Sequence, residues 1–82
     1  MQTIYLNSAN YASPRALHEA LALLLDLPDY YGHNADALND CLSELVDAPA
    51  LWVHVSSEDE CAREVHRIIR VFRDNDCEVR LV

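Results

Sequence analysis

Glycine is almost missing: the 82-residue chain contains one, Gly32. A glycine-rich loop whose amides close around a phosphate is therefore excluded, and with it the common nucleotide-binding motifs. Positive charge is scarce too, with 6 basic residues against 14 acidic ones and a net charge of -8. Lys and Arg are what grip a phosphate backbone, so the balance argues against nucleic acid as a direct ligand and for a basic protein partner. No stretch reaches the roughly 18 to 20 apolar residues of a membrane span. The start, MQTIYLNSANYASPR, has neither the positive residues nor the apolar run of a secretory signal. Three cysteines, Cys41, Cys61 and Cys77, are odd in number and far apart. That fits reduced thiols in a cytoplasm better than a disulfide framework. The histidines His18, His33, His54 and His66 lack any paired ligand spacing, so no metal and no other cofactor is expected.

What is present describes one small folded domain over residues 1–82. At 51% hydrophobic the chain can form a core, and at this length the core needs most of its apolar residues. Thr3-Ile4-Tyr5-Leu6 reads as a first strand, followed by a polar connection from Asn7 to Ser13. Ser13-Pro14 predicts a helix, with serine as N-cap and proline in the first turn. Leu17, Leu21 and Leu24 form its buried stripe, Leu23 and Leu25 widen it, and Pro28 limits it. From Asn34, a reasonable N-cap, Leu38, Cys41, Leu42, Leu45 and Val46 repeat at helical spacing along one face, until Pro49 ends the element. Ala50-Leu51-Trp52-Val53-His54-Val55 predicts a strand buried on both faces at the centre of a sheet, with His54 as a hydrogen-bonded core histidine.

Ser57 and Glu60 have capping-box spacing ahead of a helix reaching Asp74. Cys61, Val65, Ile68, Ile69 and Phe72 form its inner face; Arg63, Glu64, Arg67 and Arg70 form the outer one. Asn75-Asp76 closes it, and Glu78 to Val82 alternates as a half-covered strand does. His18 and His66 fall on helix flanks and read as surface residues. Strands joined through helices favour parallel pairing. The expectation is a two-layer α/β domain, with a three-stranded parallel sheet packed against about three helices.

The second helix carries a polar face of Asp36, Asn39, Asp40, Ser43, Glu44 and Asp47. Asp36 and Asp40 are near neighbours, where like charges repel. Just before them lie two exposed-looking tyrosines, Tyr30 and Tyr31, in a loop hinged at Gly32. The plain interpretation is a solvated acidic face; acids beside a stiff aromatic loop also suit a cationic partner. A carboxylate pair for acid–base catalysis would need a cleft to shift its pKa values, and an exposed helix face offers none. Cys41 lies on the inner stripe among acids, which disfavours a nucleophilic thiolate. Neither argues for an enzyme.

Leu27-Pro28-Asp29-Tyr30-Tyr31-Gly32, Asn34, Asp36-Ala37-Leu38 and Asp40-Cys41-Leu42 together resemble the signature segment of the barstar family, intracellular inhibitors of barnase-like ribonucleases. The likeness extends more loosely through Leu17-His18, Val71-Phe72-Arg73-Asp74 and Cys77. It implies strand order 1-2-3 and a non-enzymatic, stoichiometric inhibitor. In that role Asp40 stands in for an RNA phosphate, Asp36 assists beside it and Tyr30 gives a flat packing surface. Asp74 would make a flanking contact, Gly32 and Asn34 would shape the loop, and Tyr31, Asn39, Ser43 and Glu44 would belong to the same partner-binding surface. Arginine binds carboxylate and phosphate in the same forked geometry, which gives the mimicry its physical basis.

The implied partner is a basic, extracellular-type ribonuclease, with neither nucleic acid nor membrane contacted directly and a monomer expected when free. Three departures bear on partner identity rather than fold. Asn39 and Leu45 stand where the family has tryptophans, and Asp74 where it has a longer glutamate. The segment between the second and third strands is also shorter, which fits one helix in place of two. The alternative is an acidic immunity or regulatory module for a basic protein that is not a ribonuclease.

Overall fold

The computed structural model describes residues 2–56 and 59–82. Strand β1 (Thr3–Asn7) leads through a short 3₁₀ helix (Ser8–Asn10) to helix α1 (Pro14–Leu24), then come α2 (Ala35–Ser43), β2 (Ala50–His54), α3 (Glu60–Asp74) and β3 (Val79–Leu81). The strands form one parallel sheet in the order β1-β2-β3: the helical connections account for the parallel pairing, and the order is the one that the family resemblance implies.

Strand alternation sets the two layers. Ile4 and Leu6 pair in register with Leu51 and Val53, and all four are buried under the helices. Leu17 and Leu21 of α1, Leu38 and Leu42 of α2, and Val65, Ile68 and Phe72 of α3 complete the core. The opposite sheet face is open. There Tyr5 is level with Trp52, and Trp52 with Arg80. This corrects the expectation that β2 is buried on both faces: Trp52 is 39% exposed, and its ring is covered by the Arg80 guanidinium, 5.3 Å from the ring centroid. His54 is half-buried rather than a core histidine, and its Nδ1 donates to the Val82 carbonyl at 2.7 Å.

Three helix expectations change as well. Leu23 of α1 is exposed, because six residues after Leu17 a helix has turned to about 240° and faces away. Leu24 is partly exposed, whereas His18 is buried. Helix α2 stops at Ser43, well before Pro49. The amides of Glu44 and Leu45 bond three residues back, to Cys41 and Leu42, which tightens and ends the ladder. Leu45 is consequently 37% exposed and Val46 99% exposed. Helix α3 is capped by Asp59, whose side chain accepts from the Ala62 amide at 3.0 Å. The capping box expected at Ser57 falls on a residue outside those described.

Candidate functional site

The loop between α1 and α2 is built without freedom. Pro28 accepts from the Tyr31 amide at 3.0 Å, and Asn34 caps α2 by accepting from the Ala37 amide at 2.8 Å while its own amide nitrogen donates to the Gly32 carbonyl at 3.2 Å. Asp26, with φ 52°, and His33, with φ 57°, are its left-handed residues; Gly32 has no positive φ. A Cβ on Gly32 would come within 3.3 Å of the Ala37 Cβ, so glycine is there for closeness to the first turn of α2 and not as a hinge.

The two tyrosines part ways. Tyr30 is 78% exposed, and Tyr31, expected on the surface beside it, is 4% exposed. The Tyr31 hydroxyl meets His18 Nδ1, and His18 Nε2 lies 2.6 Å from a Glu64 carboxylate oxygen. The other Glu64 oxygen accepts from Arg67 at 2.8 Å. Both His18 and Glu64 are buried, correcting their assignment to a flank and to the outer face of α3. The resulting chain, Tyr31–His18–Glu64–Arg67, ties the loop to α1 and α3.

Burial would raise the Glu64 carboxyl, but hydrogen bonds from His18 and Arg67, with the Arg67 charge, outweigh it and hold it below the usual range. Burial pushes the Tyr31 phenol up, with Cys41 and Glu64 adding to the effect. A neutral Tyr31 donating to His18, which in turn donates to an ionised Glu64, satisfies every group. Sequence reasoning missed this chain, since each member reads singly as a surface or loop residue. His18 lies 13 residues from Tyr31 and 46 from Glu64, separations in which no local spacing carries a sign of the chain.

Asp36, Asp40 and Glu44 run at intervals of four along the exposed side of α2. Among the described residues none of the three makes an ion pair, so their charge is available to a partner at no cost in internal bonds. Asp36, Asn39 and Asp74 come together with Arg67 and Arg70 around a groove of about 380 Å³ between α2 and α3. Asn39 also accepts from the Asn75 side chain at 2.8 Å, and Asn75 in turn caps α3. The residue expected as a partner contact thus clamps two helices. Ser43 donates to the Asp40 carbonyl at 2.8 Å and closes α2.

Burial raises the thiols of Cys41, Cys61 and Cys77, and neighbouring acids raise each further, Glu44 and Asp40 in the case of Cys41. These thiols stay protonated, as small apolar groups. No group of His, Cys, Asp and Glu among the described residues could hold a metal ion, and none of the described helices is long and apolar enough to cross a membrane.

A Bacillus subtilis (strain 168) protein named "Putative ribonuclease inhibitor YrdF" is 45% identical over 53 residues, which is 65% of this chain and 58% of that protein. The match therefore spans little more than half the relative's length. The family described as "Barstar (barnase inhibitor)" matches residues 1–80, and the chain belongs to the barstar family.

Proposed function

We propose that this protein is a stoichiometric inhibitor of a barnase-like ribonuclease and acts by occluding the enzyme's cationic cleft. Family membership supports the class of activity. The observation that carries the mechanism is the exposed row of Asp36 and Asp40, which makes no ion pair among the described residues, with the exposed ring of Tyr30 on the preceding loop. A cleft that holds an RNA phosphate presents Arg, Lys or His, and a carboxylate delivered on a rigid helix satisfies the same donors. Asp40 is the phosphate substitute and Asp36 the second charge. Tyr30 is the aromatic anchor, with Glu44 and Asp74 at the edge of the contact. Gly32, Asn34 and Ser43 hold the shape of the loop and helix, and Tyr31 and Asn39 act from behind it. The protein acts as one unit, without catalysis, in the cytoplasm of a cell that makes the enzyme.

The test is a titration into a barnase activity assay with Asp40→Ala alongside. Complete inhibition near one equivalent is expected for the natural protein. The variant should lose at least ~2 kcal/mol of binding with an unchanged circular dichroism spectrum, since Asp40 is exposed. A loss below ~0.5 kcal/mol would remove Asp40 from this role. Binding to barnase without inhibition would instead favour an acidic regulatory module.

A further inference from the structure

The groove between α2 and α3 has Asp36 on its α2 wall and Arg67 and Arg70, with Asp74, on its α3 wall. Of the 6 basic residues in the chain, Arg63, Arg67, Arg70 and Arg73 all lie on the exposed side of α3. Their spacings of four, three and three make one stripe about 15 Å long. Local helix chemistry accounts for part of it. Arg67 pairs with Glu64, and Arg73 sits in the last turn, where the helix dipole favours a cation. Arg70 has no such explanation. Its charged neighbours one turn away are Arg67 and Arg73, of like sign, and Asp74.

Asp74, four residues further on, shares two grooves with Arg70, of about 380 and 340 Å³, yet the two form no ion pair among those of the described residues. Acid after base is the weaker order for such a pair. In a chain this poor in cations, Arg70 lines the groove with Asp36 and Arg73 lines the one next to it, and among the described residues neither guanidinium forms an ion pair.

We infer that the inhibited ribonuclease carries an acidic patch bordering its cationic cleft, and that Arg70 and Arg73 bind the carboxylates of that patch while Asp36 and Asp40 enter the cleft. The inference rests on the proposed inhibitory function and adds to it the charge pattern of the partner. A target surface of one sign would be repelled by Asp36 and Asp40 or by Arg70 and Arg73; a surface with adjoining patches fits both. RNA phosphates suit arginine equally well, but Asp36 and Asp74 line the same groove and a net charge of -8 repels a polyanion.

The experiment compares natural protein, Arg70→Glu/Arg73→Glu, Arg70→Gln/Arg73→Gln and Asp40→Ala as inhibitors of barnase, and measures binding of a single-stranded RNA 20-mer to each. If only acidic charge drives recognition, the double glutamate variant inhibits as well or better. The inference requires the opposite sign, inhibition weakened by about tenfold or more, an intermediate loss for the glutamine pair, and a difference that shrinks in 0.5 M salt. Equal or tighter inhibition by the glutamate variant, with Asp40→Ala still defective, overturns the inference alone. RNA binding that the arginine variants lose makes the stripe a nucleic-acid site and also overturns it. Natural protein that fails to inhibit removes the proposed function, and the inference falls with it.

Discussion

Tyr30 and Tyr31 are adjacent and chemically identical, and they do different work. Tyr31 and His18 are buried with their polar atoms matched, so removing one partner strands the other in a dry interior. Tyr31→Phe keeps the ring and deletes the hydroxyl, leaving His18 Nδ1 unpaired. We expect a loss of about 1–3 kcal/mol in urea unfolding, while Tyr30→Phe stays within about 0.5 kcal/mol because its hydroxyl is in water. Equal stabilities for the two variants would mean that the hydrogen bond contributes nothing net. A sequence gives no means of separating such neighbours: whether a loop tyrosine turns in depends on a histidine 13 residues earlier and a glutamate 33 residues later. The acidic row was legible for the converse reason. Asp36, Asp40 and Glu44 lie on one helix, and their common face follows from spacing alone.

Elements were legible in proportion to how far local chemistry fixes them. Ser13 and Asn34 cap α1 and α2 where their side chains predict, and the parallel order follows from strands separated by helices. The end of α2 was misplaced because the apolar period runs on through Leu45 and Val46, and nothing before Pro49 forbids helix. The ladder ends earlier through three-residue bonds at Glu44 and Leu45, which periodicity does not report. This gives a contrast that the apolar pattern alone would not predict. Val46 is 99% exposed, so Val46→Asp should change stability by no more than about 0.5 kcal/mol in thermal or urea melts. Leu42 is buried against the core, and Leu42→Ala should cost about 2–5 kcal/mol. A large loss for Val46→Asp would show the helix continuing to Pro49 in solution.

At the scale of the whole molecule, the net charge of -8 acts over distances that no single contact spans. In the proposed complex, an approaching cationic cleft would experience the summed field before Asp40 could touch it, and that field would turn productive orientations toward α2. On the open sheet face, Arg80 lies over Trp52 and pairs with Glu78 at 3.4 Å. Salt separates the field from the contacts. The Debye length falls from about 10 Å at 0.1 M to about 3 Å at 1 M, so encounter is screened while groups already buried in the complex are affected much less. Stopped-flow association with barnase should slow by about tenfold or more between ~20 mM and ~500 mM NaCl, with the dissociation rate changing by less than about threefold. A salt-insensitive association rate would confine the acids to short-range contacts. An equal acceleration of dissociation would mean that Asp36 and Asp40 remain wet in the complex, which an inhibitor seated in a phosphate-binding cleft cannot be.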